Sequence, residues 1–296
     1  MNLRIQIYTY LLIVGLKKVY FCFMIDYSPC KINIGLQIIN KRTDGYHNIE
    51  SVFYPIPLYD IIEIRSRTDN EFKLSQSGFI VDGDIQSNLL YKAWKLIAEK
   101  YSINGINIHI HKQIPMQAGL GGGSADAVTL LKMLNKEFDL NISNSALSDI
   151  AASIGSDCPF FIENKACYAY NIGTDFKDIN LDLSKFYIAI IKAPVAVSTQ
   201  EAYAGITPMK SEIDLLKINK IPMSEWKSKI NNSFENHIFN KLPILSDIKE
   251  ELYTKGAIYA SMSGSGSAVY GIFKDDDFEL DFPEDYFVWK SVFSLQ

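Results

Sequence analysis

Four glycines fall within five positions at Gly119-Leu120-Gly121-Gly122-Gly123, and their setting constrains this chain more than any other feature. The full run is Pro115-Met116-Gln117-Ala118-Gly119-Leu120-Gly121-Gly122-Gly123-Ser124-Ala125-Asp126-Ala127. Upstream, Ile106, Ile108 and Ile110 alternate with polar neighbours, the period of a half-buried strand; downstream, Ala127, Leu130, Leu131 and Leu134 recur at helical spacing. The pattern predicts strand, glycine loop and then a helix over 124–136. Such a loop lets backbone approach an anion without Cβ clashes, and the unpartnered N–H groups at the helix start point at it.

Two common phosphate motifs are excluded by their letters. No Gly-Lys-Ser or Gly-Lys-Thr closes the loop, so it is not a P-loop. In the dinucleotide pattern the third glycine would fall at Ser124, and no acidic residue follows at the distance that holds a ribose. Read alone, Gly-Leu-Gly-Gly-Gly-Ser also suits an ordinary flexible turn; the flanking strand and helix favour a nucleotide loop.

Other segments carry residues suited to chemistry. Ser28-Pro29-Cys30-Lys31-Ile32-Asn33-Ile34-Gly35-Leu36 reads as a strand with Ile32, Ile34 and Leu36 on one face and Lys31, Asn33 and Gly35 on the other. Asp44-Gly45-Tyr46-His47 supplies a reversal, an aromatic ring and an imidazole. Ile154-Gly155-Ser156-Asp157-Cys158-Pro159 places a carboxylate just after a helix that ends at Gly155. Ser261-Met262-Ser263-Gly264-Ser265-Gly266-Ser267-Ala268 is a second small-residue loop between two strands.

Together these residues resemble the GHMP kinase superfamily (galactokinase, homoserine kinase, mevalonate kinase and relatives) over about 24–273. The early Ser-Pro-Cys-Lys-Ile-Asn strand and the Arg42-Thr43-Asp44-Gly45-Tyr46-His47 turn look like the branch whose acceptor carries a cytidine diphosphate. The resemblance implies a two-domain α+β fold with the active site in the interdomain cleft. An N-terminal ATP-binding domain would span 24–183 and a C-terminal domain 184–296. It further implies ATP and Mg2+ as cofactors, a small-molecule cytidine diphosphate substrate, and it allows a homodimer.

Residue by residue, the resemblance implies Asp157 as the base that accepts the acceptor's hydroxyl proton and Lys31 as the cation beside it. Gly119 to Ser124 would cradle the ATP phosphates, with Pro115 to Ala125 as the whole ATP-binding run and Ser124 also offering its hydroxyl to magnesium. Asn88 and Lys112 fall where the family meets ATP. Tyr46 and Tyr203 match the aromatic pair that sandwiches the cytosine, His47 the position that reads its edge, and Asn33 and Thr199 further acceptor contacts. Sister kinases acting on homoserine, mevalonate or a sugar are one alternative, and a non-catalytic sensor on the same fold another. Retention of Lys31 and Asp157 argues against the sensor, and Tyr46, His47 and Tyr203 against the sister kinases.

Composition sets limits around this reading. A net charge of -5 argues against a nucleic-acid or anionic-membrane surface, so an anionic ligand must be met by local cations and backbone dipoles. Cys22, Cys30, Cys158 and Cys167 show neither Cys-x-x-Cys spacing nor a dense framework and read as reduced thiols of a cytoplasmic protein. His109 and His111 share a strand face without a second ligand pair, so zinc is not expected. The apolar stretch within 1–23 is interrupted by Lys17 and Lys18, each costing roughly 2.5 to 3.5 kcal/mol mid-bilayer. We therefore expect no membrane span there, but a non-native or disordered extension ahead of Met24. After Phe273 the family's usual helix is replaced by a short acidic stretch broken by Pro283, which leaves the packing of the C-terminal tail open.

Overall fold

Two long strands form the spine of the protein, β2 (Lys17–Lys41) and β3 (His47–Ser66), joined by the Asp-Gly turn. The turn is closed by Arg42 N–H on the Tyr46 carbonyl (2.8 Å) and by Tyr46 N–H on the Asp44 carboxylate (3.1 Å). The computed structural model describes residues 6–14, 17–209 and 212–294. Around the spine the first sheet runs β1 (Gln6–Val14), β2, β3, β5 (Ile106–Lys112) and β4 (Phe72–Gly78), with β6 (Cys167–Tyr170) and β7 (Asp175–Asp178) continuing from the early part of β3. A second sheet runs β11 (Phe287–Val292), β8 (Tyr187–Lys192), β10 (Val269–Phe273) and β9 (Tyr259–Met262).

Helices α1 (Leu89–Tyr101), α2 (Gly122–Glu137), α3 (Asn144–Ile154) and the short α4 (Phe160–Glu163) cover the first sheet. Asn88 caps α1 by accepting from Leu90 N–H at 2.9 Å, and the face that α1 buries carries Leu90, Ala93, Trp94 and Ile97 at helical spacing. A second core joins the two sheets, with Cys30, Ile32 and Ile34 of β2 meeting Ile188, Ile190 and Tyr270. The outer face of the second sheet is covered by α5 (Thr199–Ala204), α7 (Glu235–Lys241) and α8 (Pro243–Thr254), while the one-turn α6 (Trp226–Lys229) sets Trp226 into the shared core. This is the expected α+β class.

Several details differ from expectation. Strands β4, β6 and β7 stand outside the patterns read from the sequence, and their places come from pairing with β5, β3 and β6 respectively. Helix α2 begins at Gly122, two residues early, and Gly122 packs so close to Ile114 that an added Cβ would lie 2.9 Å from its side chain. The backbone of Gln6–Val14 pairs antiparallel with the leading end of β2, from Gln6 opposite Ile25 to Val14 opposite Lys17. Its β-branched and aromatic letters are strand formers, so an extended hairpin suits them. Met1 to Ile5 lie outside the described residues. The acidic stretch after Phe273 has no helix; Phe278 stacks on Phe273 (centroids 3.7 Å apart), and β11 then closes the second sheet against β8.

Candidate active site

The glycine run lies between the two sheets and is held by its carbonyls. Gln117 and Ala118 carbonyls accept from Ser267 and Ala268 N–H (3.1 and 3.2 Å), Gly119 from the Ser263 hydroxyl (2.9 Å) and Leu120 from Lys31 N–H (2.9 Å). Each trans peptide points its N–H opposite to its carbonyl. With four successive carbonyls turned inward, the N–H groups of 118–121 are turned outward. Helix α2 continues the array: Gly121 precedes it in the left-handed region, and no side chain caps its first turn. Its leading N–H groups and positive dipole end therefore face the cleft, the arrangement that binds an anion.

Lys31 and Asn33, two apart on β2, point to this same place. The Lys31 ammonium, 3% exposed, donates to the Asn33 side-chain oxygen (2.5 Å), lies 3.3 Å from the Asp157 carboxylate and sits 4.6 Å from the centre of the Phe53 ring. Asn33 is oriented in turn, since its amide donates to Ser51 (2.9 Å) and its backbone carbonyl accepts from the buried Tyr270 hydroxyl (2.8 Å). Asp157 follows α3 and is about a third exposed, so one side of its carboxylate meets a buried cation and the other the cleft. Held this way the ammonium is fixed in place, while the carboxylate remains reachable by a hydroxyl.

The cleft has a volume of about 830 Å³, and its walls include Lys31, Asn33, Asn88, the run from Pro115 to Ser124, Asp157, Thr199 and Tyr203. Those residues, far apart in sequence, are brought together. Ala125 is not on the wall; it is fully buried on the inner face of α2. Tyr203 lies on α5, where its ring meets Phe234 edge-on and stacks on His47 at 4.7 Å and 20°. Burial, then the charge of Asp157, push the Tyr203 hydroxyl up to about 12, so it stays neutral. Burial and the Lys41 charge hold His47 below the ordinary imidazole range, so it too is neutral at pH 7. Tyr46 does not line the cleft; it stands 62% exposed at the hairpin tip beside His47.

Lys112 reaches the cleft wall, but its ammonium is engaged beneath it. It pairs with Asp60 and, at 2.7 Å, with Asp126, all three being buried. Burial opposes the ammonium, yet the two carboxylates outweigh it and raise the Lys112 pKa; burial pushes the Asp126 carboxyl well above its usual range against the pull of Lys112. Sequence reading passed over Asp60 and Asp126. The available signal was a carboxylate in each of two otherwise apolar stretches, Leu58-Tyr59-Asp60-Ile61-Ile62 and Ala125-Asp126-Ala127-Val128. It also passed over Phe53, whose place beside Lys31 comes only from where the chain returns.

Among the described residues no cluster of three or more histidine, cysteine or acidic side chains forms a cage for a metal. Magnesium does not need one, since it keeps several waters and is held by one or two protein oxygens together with substrate phosphates. The Ser124 hydroxyl fits that demand: it stands in the open first turn of α2 beside Gly155, whose added Cβ would lie 3.9 Å from it. No helix among the described residues is long and apolar enough to cross a membrane.

Residues 88–165 match the family model for the GHMP kinases N terminal domain, and 216–279 that for the GHMP kinases C terminal. The chain is 47% identical over 255 residues to a 4-diphosphocytidyl-2-C-methyl-D-erythritol kinase of Bacteroides thetaiotaomicron, covering 86% of this chain and 93% of the relative. It is 44% identical over 273 residues to the same-named kinase of Parabacteroides distasonis, covering 92% and 100%. Among solved structures, a crystal structure of 4-(cytidine 5'-diphospho)-2C-methyl-D-erythritol kinase superposes with a TM-score of 0.72 at 28% identity, over 84% of this chain and 90% of the other.

Proposed function

Because the chain belongs to the 4-diphosphocytidyl-2-C-methyl-D-erythritol kinases, a branch of the GHMP kinases, we propose the following division of labour among its residues in moving the terminal phosphoryl of ATP to the 2-hydroxyl of that acceptor. The enzyme is an ATP-dependent small-molecule kinase serving isoprenoid precursor synthesis. The observation that carries the proposal is the Lys31–Asp157 pair, 3.3 Å apart on the wall of a cleft that the open end of α2 also lines. Asp157 takes the proton from the attacking hydroxyl as its oxygen bonds to phosphorus. Lys31 orients that carboxylate and offsets the charge gathering between nucleophile and phosphorus. The outward N–H groups of the glycine loop hold the phosphates, with Asn88 on the same wall. Magnesium, held by Ser124 together with the phosphates, would neutralise charge on the transferred group. The domains divide near 183/184, and the reaction belongs in the ATP-holding cytoplasm.

Tyr203 offers a ring face that already accepts a flat partner, His47, at stacking distance. The acceptor's base takes such a contact, with Tyr46 folding over from the hairpin tip and His47 turning to the base's edge; Asn33 and Thr199 lie on the same wall. Tyr46→Ala is expected to raise the acceptor KM roughly tenfold, since base-on-aromatic stacking is worth about 1 to 3 kcal/mol, and to leave kcat at saturation within a factor of about two. An unchanged KM in steady-state assays would remove Tyr46 from the site. The activity itself is tested by a coupled ATP assay offering the cytidylylated methylerythritol acceptor beside homoserine and mevalonate. Turnover of the first alone is expected, and turnover confined to another acceptor would overturn the assignment.

A further inference from the structure

Beneath the phosphate loop, one ammonium joins the segment that enters the loop to the helix that leaves it. One carboxylate oxygen of Asp60 accepts from Gln113 and Ile114 N–H at 2.6 and 2.9 Å, the last two peptides before Pro115. The other oxygen pairs with Lys112, whose ammonium also holds Asp126 on α2 at 2.7 Å. None of the three residues is more than 4% exposed. Lys112 is fixed in its main chain as well, since its carbonyl accepts from Phe79 N–H at 3.0 Å. Between Ile114 and Gly122 the loop has neither a helix cap nor a strand register of its own: its carbonyls are held by Ser267, Ala268, Ser263 and Lys31, and its two ends are tied together from beneath by this triad.

We propose, resting on the kinase reading above, that Asp60, Lys112 and Asp126 are positioning residues for the phosphate loop: they set ATP affinity by fixing its entrance against α2, without touching the nucleotide. Lys112 therefore serves ATP through the loop rather than by donating to a phosphate. Removing either carboxylate leaves a buried ammonium with half its partners, and the loop ends shift to solvate it.

The test uses the full chain and measures ATP binding by calorimetry in the absence of acceptor, then both KM values. Asp126→Leu is expected to weaken ATP binding about tenfold, with the acceptor KM within a factor of about two. Asp126→Asn, which keeps an oxygen for Lys112, is expected to recover most of that loss. Amide exchange over 116–124 should quicken in both, more than in the rest of α2 and β5. If Asp126→Leu does not fold, the isosteric Asn variant carries the test through its local exchange. Unchanged ATP affinity in a folded Asp126→Leu, ATP and acceptor constants moving together in that variant, or no local change in exchange in either variant would each overturn the proposal. Because ATP binding is read without acceptor, a wild-type chain that binds ATP but fails to phosphorylate the acceptor would refute the kinase reading while leaving this result standing.

Discussion

Asp157→Asn is expected to lower kcat by about 100- to 10,000-fold while the acceptor KM stays within a factor of about two, the range lost when a positioned general base is removed. The amide keeps the size of the carboxylate and one oxygen toward Lys31, so the cation is not stranded; Asn33 still accepts from it at 2.5 Å. What disappears is the capacity to take a proton. Since Asp157 is partly exposed, its pairing with Lys31 adds little to folding, and the thermal midpoint should move by no more than a few degrees. Single-turnover kinetics with both substrates saturating provide the check. A variant retaining more than about a tenth of the wild-type rate would place the base elsewhere.

Gly119→Ala is expected to be comparably severe by a different route, weakening ATP binding by at least about 100-fold, the order lost when a site is displaced by about an ångström. Gly119 lies at φ +72°, a left-handed conformation that costs an alanine roughly 1 to 2 kcal/mol. The larger obstacle is steric, because an added Cβ would stand 2.8 Å from the Ser263 carbonyl carbon and closer still to its oxygen, which is backbone and cannot rotate away. Relief requires the glycine loop and the 263–268 loop to separate. That would break the bonds of Ser263, Ser267 and Ala268 to loop carbonyls, which are the bonds that turn the N–H groups outward. Calorimetric titration with ATP measures the loss. Near wild-type affinity would show that the two loops need not touch, and with them the account of how the anion site is aimed would fall.

How far the sequence could be read depended on how local each signal was. Lys31 and Asn33 were legible as a pair because side chains two apart on a strand share a face, and the structure keeps both on the cleft. Helix α2 was legible as well, from the helical spacing of Ala127, Leu130, Leu131 and Leu134. Strands β4, β6 and β7 were not, since each is placed by a ladder whose other half lies elsewhere in the chain. Nor was the fate of Lys112. A lysine at the end of a strand beside a phosphate loop invites the reading of a phosphate ligand, and only the arrival of Asp60 and Asp126 from 52 and 14 residues away shows its charge already engaged.

Letters alone determined the elements and their chemistry: a strand that shows a lysine and an asparagine on one face, a glycine loop entering a helix, and a carboxylate just beyond another helix. These are set by nearest-neighbour sterics, period and capping, which act over a few residues. Tertiary structure alone decided that the ammonium on β2 and the carboxylate after α3 meet at 3.3 Å, and that the loop carbonyls turn inward onto the 263–268 loop. Those facts arise from the two sheets burying a common apolar face, which carries segments up to 237 residues apart into hydrogen-bonding contact.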